Sequence, residues 1–213
     1  MPDANQFIRL MKEEGVLQFG DFTLKSGKKS PYFFNLGNVS SGNGLTELGR
    51  AYAQCILDHD LQPEILYGPA YKGIPFAVTT AVALASRGVQ VGVAFNRKEL
   101  KGYGEGGWLI GEALDEKRVI LIDDVVVDGG TKIEAAEMIR NEGGILCGMV
   151  LGIDRLEYAN KTQTATESLM ERLRVSVHAV SDLRDVLAYL ESDPLDREWL
   201  HAVREYASKN CKL

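Results

Sequence analysis

Residues 119–132 read VILIDDVVVDGGTK, in which four apolar residues precede two aspartates and a glycine pair follows shortly afterwards. A strand that is apolar on both faces belongs inside a parallel sheet that helices cover on both sides. Glycines after such a strand predict a tight turn, and residues 133–140 resume a helical spacing of apolar side chains. The stretch therefore predicts a strand, turn and helix unit of an α/β fold.

The same alternation of strand and helix extends through the middle of the chain. The predicted strands are 65–67, 89–95, 119–122, 145–153 and 175–179, and the predicted helices between them include 74–86 and 133–140. Towards the C-terminal end, Asp193 and Pro194 predict the start of a last helix. Strands that alternate with helices in this way build βαβ units, so we expect a central, mainly parallel sheet flanked by helices.

The first 40 residues predict a small lobe of different character. Residues 3–14 carry apolar side chains at helical spacing, and the β-prone runs 22–24 and 32–34 flank a bend that holds three lysines. A chain of 213 residues is close to the usual size of one domain, roughly 100–200 residues. We therefore treat residues 1–213 as a single domain, with residues 1–40 mostly in the N-terminal lobe.

Composition excludes several classes of protein. The 24 Lys and Arg against 30 Asp and Glu give a net charge of −6, and 45% of the residues are hydrophobic. This balance argues against a disordered chain and against a surface that binds nucleic acid as a whole, so an anion site must be local. The three cysteines have no disulfide or zinc spacing, and no apolar run approaches the ~18 residues of a membrane span. We expect a cytoplasmic protein with no membrane or nucleic-acid partner.

Residues 97–111 are the segment that resists assignment to helix or strand. Five glycines fall in ten positions there, among several charged residues. Long glycine-rich connections of this kind are usually lids or disordered connectors. Arg97, Lys98 and Lys101 favour a lid loop that closes over an anion, and a plain connector is the alternative.

The aspartates and glycines of the first stretch also predict a chemistry. Ligands of parallel sheets bind beyond the carboxyl ends of the strands, where glycines and the N-terminus of a helix can hold a phosphate and Thr131 can add a hydroxyl. Asp123 and Asp124 would repel that phosphate, but they suit sugar hydroxyls, Mg²⁺ or a developing positive charge. The pattern is typical of a site for a phosphorylated sugar. The alternative is that both aspartates merely cap the next helix.

Residues 120–131 resemble the signature for PRPP (5-phosphoribosyl 1-diphosphate) of the type I phosphoribosyltransferases. Three further segments, residues 22–35, 68–75 and 95–107, are similar to those of the orotate phosphoribosyltransferases within that family. The resemblance covers nearly the whole chain. It implies a type I phosphoribosyltransferase fold with an N-terminal hood, and transfer of the phosphoribosyl group from PRPP to orotate in pyrimidine biosynthesis, which yields orotidine 5′-monophosphate and pyrophosphate.

The resemblance also implies roles for individual residues. Lys25, the backbone of Phe33 and Phe34, and Arg155 correspond to the orotate site. The residues that correspond to the PRPP site are Lys25, Tyr71, Lys72, Arg97, Lys98, Lys101, Tyr103, Asp123, Asp124, Val125, Val126, Val127, Asp128, Gly129, Gly130 and Thr131. The lid closes over the partner subunit's site, so the family resemblance implies a homodimer with shared sites.

Catalysis in this scheme needs opposite charges on the two sides of the breaking bond. Pyrophosphate leaving C1 of ribose creates an oxocarbenium-like centre, which Asp123 and Asp124 would stabilise. Lys98, Lys101, Lys72 and Mg²⁺ would stabilise the departing oxygens. We expect the magnesium ion to be held mainly by PRPP, with no direct protein ligand.

The chain departs from the family pattern at three positions. Val127 stands where the family usually has a threonine, Asp128 where it has a small residue or a second threonine, and Tyr103 where many members have a histidine. Asp128 brings negative charge into a phosphate turn, and we hypothesise that Lys132 compensates for it. Val127 and Asp128 support two alternatives, a PRPP-binding regulator and a catalytically weakened paralogue. The Lys25 hairpin with Phe33 and Phe34 disfavours a phosphoribosyltransferase for another base.

Overall fold

The computed structural model describes residues 4–24, 27–101, 107–127 and 129–213. Its eight strands are β1 Leu17–Thr23, β2 Lys29–Phe34, β3 Ile65–Tyr67, β4 Gly92–Lys101, β5 Gly107–Gly111, β6 Arg118–Val125, β7 Ile145–Asp154 and β8 Ser176–Asp182. The helices in the same ranges are α1 Ala4–Glu13, α2 Gly42–Asp58, α3 Gly73–Ala85, α4 Gly130–Asn141, α5 Ala165–Leu173, α6 Leu183–Ser192 and α7 Leu200–Asn210.

Six strands form the central sheet in the order β5-β4-β3-β6-β7-β8. The pairs β3·β4, β3·β6, β6·β7 and β7·β8 are parallel, and β4·β5 is antiparallel. The predicted mainly parallel sheet flanked by helices is therefore confirmed. β6 lies in the interior of the sheet, so its carboxyl end opens between two neighbouring strands, where ligands of such sheets bind.

The two faces of β6 enter two different hydrophobic cores. Ile120 and Ile122 pack in a core with residues of α1, α2, α3, α6 and α7, whereas Val119 and Leu121 pack in a second core with residues of α4 and α5. All four side chains are fully buried. Alternate residues of a strand point to opposite faces, so this continuous apolar run satisfies both layers of helices at once.

The N-terminal lobe is a two-stranded antiparallel ribbon, β1 and β2, that is separate from the central sheet. Tyr32 and Phe34 of β2 are buried, and Tyr32 meets Tyr206 of α7 edge to face with ring centroids 5.7 Å apart. The predicted hairpin is confirmed in the strands. Its bend includes Lys25, which lies outside the described residues.

The prediction of a loop over residues 97–111 is wrong at both ends. β4 continues through Arg97 and Lys98 to Lys101, and β5 returns antiparallel to it, with Asn96 opposite Leu109 and Ala94 opposite Gly111. The antiparallel pairing of β4 with β5 provides backbone hydrogen bonds that the glycine content of this segment does not predict. Residues 102–106, which include Tyr103, lie outside the described residues, so the expectation of a closing lid remains a prediction.

Two smaller findings complete the architecture. α7 begins at Leu200, after a 3₁₀ turn at Arg197–Trp199, and not at Pro194 as predicted. Asp193 instead accepts a hydrogen bond from the Leu195 N–H at 2.9 Å, which closes a local turn. Across the described residues, we find no helix with the length and apolar character needed to cross a bilayer.

Candidate active site

Asp123 and Asp124 form an acidic pair at the carboxyl end of β6. Asp123 is buried, with 6% of its surface exposed, and Asp124 is partly buried. Local backbone groups hold both side chains, because the Asp124 N–H donates to Asp123 Oδ1 at 2.9 Å and the Val125 N–H donates to Asp124 Oδ1 at 2.7 Å. The two carboxylates are thus fixed at the end of the strand where a ligand would bind.

Lys132, on the first turn of α4, lies directly against this acidic pair. Its Nζ is 2.7 Å from Asp123 Oδ2 and 3.3 Å from Asp124 Oδ1, and the residue is only 6% exposed. The structure shows that the two strand-end carboxylates engage the Lys132 ammonium, and the hypothesis that Lys132 compensates for Asp128 stays a prediction. Asp128 itself lies outside the described residues.

Burial and neighbouring charges set the protonation of these three groups. Burial raises the pKa of Asp123 above its ordinary value, and the nearby Lys132 only partly offsets this effect. Burial also acts to raise the pKa of Asp124. Lys132, the Val125 N–H and Lys72 act in the opposite direction and outweigh burial, so the pKa of Asp124 is lowered. Burial acts to lower the pKa of Lys132, yet the two carboxylates outweigh it and raise that pKa, so the ammonium stays charged.

The turn after the acidic pair leads directly into the N-terminus of α4. Gly129 has a φ of +78°, a left-handed conformation that glycine adopts without strain, and α4 begins at Gly130. Thr131 is exposed on the first helical turn, whereas Val126 is buried in the core and Val127 is largely exposed. Of the turn residues predicted to bind PRPP, Val125, Val126 and Val127 offer no side-chain hydrogen bond, so any contact from them must use the backbone. The α4 N-terminus carries the partial positive charge that favours an anion.

Lys72 connects the N-terminal lobe to the acidic pair. Its Nζ donates a 2.9 Å hydrogen bond to Asn35 Oδ1 and lies 3.6 Å from Asp124 Oδ2. The neighbouring Ala70 N–H donates to Asn96 Oδ1 of β4 at 2.8 Å, and the Ala70–Tyr71 peptide bond is cis. The loop between β3 and α3 is therefore held from both sides, and it presents a cation beside the carboxylates.

Tyr71 and Lys98 are brought together at the next position along the sheet edge. The Lys98 ammonium lies 5.1 Å from the centre of the Tyr71 ring, a cation–π contact, and Tyr71 is 69% exposed. Arg97 precedes Lys98 on β4, and its Nε is buried without a hydrogen-bond partner among the described residues. The side chain of Lys101 lies outside what the structure describes. Lys72, Tyr71 and Lys98 thus line the same edge of the sheet as the acidic pair.

Arg155 follows the end of β7 and lies in a buried polar cluster of its own. Its Nε donates to Glu157 Oε1 at 2.8 Å, and its terminal NH2 contacts the same oxygen at 2.6 Å and Ser30 Oγ at 3.1 Å. The guanidinium also lies 4.2 Å from the centre of the Tyr32 ring. Burial lowers the pKa of Arg155, but Tyr32 and Glu157 outweigh that effect and raise it, so the charge is kept.

The other residues predicted for the orotate site lie on β2, beside Ser30. Phe33 is partly exposed and stacks on Phe22 with ring centroids 5.5 Å apart, whereas the Phe34 side chain is buried in the core. Only backbone atoms of Phe34 can therefore face a ligand, and its role in the orotate site stays a prediction. Within the described residues, no hydrogen bond or ion pair joins Arg155 to the acidic pair, and Lys25 lies outside them.

Comparison of the sequence and the structure with known proteins shows which family this chain belongs to. A family model for the phosphoribosyl transferase domain matches residues 39–174. The orotate phosphoribosyltransferase of Escherichia coli (strain K12 / DH10B) is 44% identical over 206 residues, which is 96% of each chain. The chain belongs to the orotate phosphoribosyltransferase family. The crystal structure of the Francisella tularensis orotate phosphoribosyltransferase superposes with a TM-score of 0.85 at 34% identity, over 97% of this chain and all of that one.

A more distant member of this orotate phosphoribosyltransferase family shares the fold. The Mycobacterium tuberculosis orotate phosphoribosyltransferase, solved in complex with PRPP, is 19% identical, with a TM-score of 0.66 over 87% of this chain and 99% of that one. The type I phosphoribosyltransferase fold and the family that the sequence motifs resembled are thus confirmed.

Several residues of the candidate site in the present chain were not predicted from the sequence. In the N-terminal lobe, Asn35 accepts a hydrogen bond from Lys72, and Ser30 accepts one from Arg155. Glu157 accepts hydrogen bonds from Arg155 and from the Tyr206 hydroxyl. Glu157, two residues after Arg155, is part of the same polar cluster. Nothing in a single sequence indicates that Tyr206, in the last helix, reaches this cluster, since the contact depends on how α7 packs against β2.

Proposed function

We propose that this chain transfers the 5-phosphoribosyl group from PRPP to orotate, giving orotidine 5′-monophosphate and pyrophosphate in de novo pyrimidine biosynthesis. The observation that carries the proposal is the acidic pair at the end of β6, followed at once by the glycine turn and the N-terminus of α4. This is the arrangement that the chemistry of a phosphorylated sugar requires, in a chain 44% identical to orotate phosphoribosyltransferases over 96% of its length.

The acidic pair would act on the ribose of PRPP. As a ring nitrogen of orotate loses its proton to solvent or to the departing diphosphate and forms its bond to C1 of ribose, the bond from C1 to the diphosphate oxygen breaks, and its electron pair leaves with the diphosphate. Positive charge develops on the sugar meanwhile. Asp123 and Asp124 supply fixed negative charge on that side, and backbone N–H groups hold both carboxylates in place before the reaction starts.

Cations on the opposite side would stabilise the departing pyrophosphate. Lys72 lies beside Asp124, and Lys98 lies over Tyr71 on the adjacent loop. We assign Tyr71, Lys72, Arg97 and Lys98 to the diphosphate, and we place Lys101 and Tyr103 with them, and Asp128 in the turn that holds the 5-phosphate, from the family resemblance alone. Gly129, Gly130 and Thr131 would hold the 5-phosphate at the α4 N-terminus, together with the backbone of residues 125–127.

Orotate would bind between the N-terminal lobe and Arg155. The guanidinium is charged, buried and held by Glu157 and Ser30, which suits recognition of a carboxylate. The backbone of Phe33 and Phe34 lies on the same strand as Ser30, and Lys25 would complete the site from the hairpin bend.

Magnesium, which PRPP chemistry in this family uses, would reach the site on the diphosphate of PRPP. The described residues contain no group of three or more His, Cys, Asp or Glu side chains that could hold a metal ion, and Lys132 already fills the space between the two strand-end carboxylates. No residue of the described chain therefore fits as a direct ligand, and we assign no catalytic step to the ion.

We also propose that the chain works as a homodimer in which residues 97–111 of each subunit, at the end of β4 and in β5, serve the partner subunit's site. α3 is strongly apolar, and it leaves Val78 41% and Val82 66% exposed to solvent. Trp108 lies on the edge strand β5, which pairs with the strand β4 that carries Lys98, and it is also partly exposed. Exposed apolar side chains on a helix and on a sheet edge are the features that an interface between copies would cover. The three free cysteines fit a reducing compartment, and we place the protein in the cytoplasm.

The deciding experiment mixes the protein with orotate, PRPP and Mg²⁺ and follows the loss of orotate absorbance. We expect turnover in the wild type and its loss in Asp124→Asn, whereas Asp60→Asn, on a turn after α2, should retain full activity. Binding of PRPP without turnover in the wild type would reject the enzyme. That result would instead favour a PRPP-binding regulator or a weakened paralogue, which Val127 and Asp128 in the sequence of the phosphate turn support.

A further inference from the structure

Lys132 is a buried cation whose charged end faces two carboxylates. Its Nζ lies 2.7 Å from Asp123 Oδ2 and 3.3 Å from Asp124 Oδ1. Lysine is rarely buried to this extent unless its charge is paired, and here both partners come from the end of β6. The residue stands in the first turn of α4, so the helix itself carries the ammonium into the acidic pair.

All four oxygens of the acidic pair already have a partner. Asp123 Oδ1 accepts from the Asp124 N–H, and Asp123 Oδ2 contacts Lys132. Asp124 Oδ1 accepts from both the Val125 N–H and Lys132, and Asp124 Oδ2 lies 3.6 Å from Lys72 Nζ. Two adjacent carboxylates are otherwise the ligands that Mg²⁺ and Mn²⁺ prefer. The ammonium of Lys132 takes the position between them that a divalent ion would need.

Charge balance adds a second consequence. The two carboxylates and the two ammonium groups of Lys132 and Lys72 sum to zero, so a polyanionic substrate meets an electrically neutral cluster. Without Lys132 the cluster would carry one net negative charge, which repels phosphate and attracts a metal ion.

We propose that Lys132 is the resident cation of the acidic pair. It excludes divalent metal ions from Asp123 and Asp124 and orients both carboxylates for the hydroxyl groups of the sugar. Lys132 is thus a positioning residue that acts through the two aspartates. The inference rests on the proposed function only where it names the sugar as the ribose of PRPP.

The test measures Mn²⁺ binding to the protein without substrates, by electron paramagnetic resonance and calorimetry. Weak protein sites for hard cations have dissociation constants of about 0.1–1 mM. In that range we expect no stoichiometric binding by the wild type and one Mn²⁺ per chain in Lys132→Met. The double variant Lys132→Met with Asp123→Asn should lose the acquired ion again. Lys117→Met, which removes an exposed lysine from a single carboxylate, Glu64, is the matched control and should gain no site.

Two results would overturn the proposal. One is a wild-type chain that already binds one Mn²⁺ per chain and loses it on Asp123→Asn, since the pair would then be open. The other is a Lys132→Met chain that melts cooperatively yet binds no Mn²⁺. If Lys132→Met does not fold, Lys132→Gln takes its place, and the wild-type measurement decides the matter in either case.

A kinetic measurement separates positioning from a purely structural ion pair. Lys132→Met should raise the KM for PRPP about tenfold, the factor that corresponds to ~1.4 kcal/mol, and leave the KM for orotate unchanged. General destabilisation would instead lower the amount of active enzyme and leave both constants alone. Failure of the wild type to convert orotate would reject the proposed function, but the Mn²⁺ results would still stand.

Discussion

The Tyr52 hydroxyl, fully buried on α2, donates a 2.8 Å hydrogen bond to the backbone carbonyl oxygen of Asp123. Burial, with further contributions from Asp124 and Asp123, raises the pKa of Tyr52 well above its ordinary value, so the hydroxyl remains a donor at any physiological pH. Gly152 of β7 leaves the necessary space, because a β-carbon there would come within 2.7 Å of the Tyr52 oxygen. α2 thereby fixes the end of β6 from the opposite layer of the fold.

Replacing Tyr52 by phenylalanine should weaken both the fold and the site. The Asp123 carbonyl would lose a buried donor, so we expect the free energy of unfolding to fall by about 1–2 kcal/mol and the KM for PRPP to rise. Denaturant unfolding and steady-state kinetics measure the two effects. Tyr158→Phe, at a partly exposed position, is the control and should change neither quantity. An unchanged stability of Tyr52→Phe would contradict the role of this hydrogen bond.

The cluster around Arg155 leads to a second prediction, for the substitution Glu157→Gln. Glu157 Oε1 accepts from Arg155 and from the Tyr206 hydroxyl at 2.7 Å, so the neutral amide would leave the buried guanidinium without its counter-charge. We expect the KM for orotate to rise about tenfold, equivalent to ~1.4 kcal/mol, with the KM for PRPP unchanged. Glu171→Gln, on the exposed face of α5, is the control. Equal changes in both constants would argue against an orotate site at Arg155.

The central part of this site could be read from the sequence because it depends on local pattern. The run from Val119 to Ile122 predicts a strand buried on both faces, and its end fixes where Asp123 and Asp124 stand. The partner of those aspartates could not be read in the same way. Lys132 is eight residues beyond Asp124, and only the path of the turn at Gly129 brings its long side chain back to the strand end.

Boundaries that depend on tertiary pairing were also missed. The glycine content predicted a loop from Arg97 onwards. The hydrogen bonds that extend β4 come from β5, and such pairing between strands cannot be predicted from composition. The predicted helix start at Pro194 failed for a related reason. Asp196 accepts from Lys12 of α1 and from Tyr189 of α6, and these long-range contacts hold the segment outside α7.

The exposed valines of α3 make the dimer testable. Val82→Asp places a charge on the apolar face that we assign to the interface, where burial without a partner is costly. Light scattering after gel filtration should show a dimer for the wild type and a monomer for the variant. Activity should fall with dissociation, because in the proposed dimer β4 and β5 of one subunit complete the site of the other. Leu195→Asp, at an 86% exposed position away from α3, is the control and should remain dimeric and active. A dimeric Val82→Asp chain would place the interface elsewhere.

A pair of histidines should make stability depend on pH. The rings of His59 and His178 stack with centroids 3.8 Å apart. Burial, together with His59, lowers the pKa of His178 below its ordinary value. At His178 the folded state therefore binds fewer protons than the unfolded state, and the contribution of this residue to stability declines as the pH falls below about 6.5. Between about pH 7.5 and about pH 5.5, His178→Gln should lose less melting temperature than the wild type, while His201→Gln, an exposed control, should match the wild type. If the melting temperatures of the wild type and His178→Gln fell by the same amount, the stacked pair would not contribute to the pH dependence of stability.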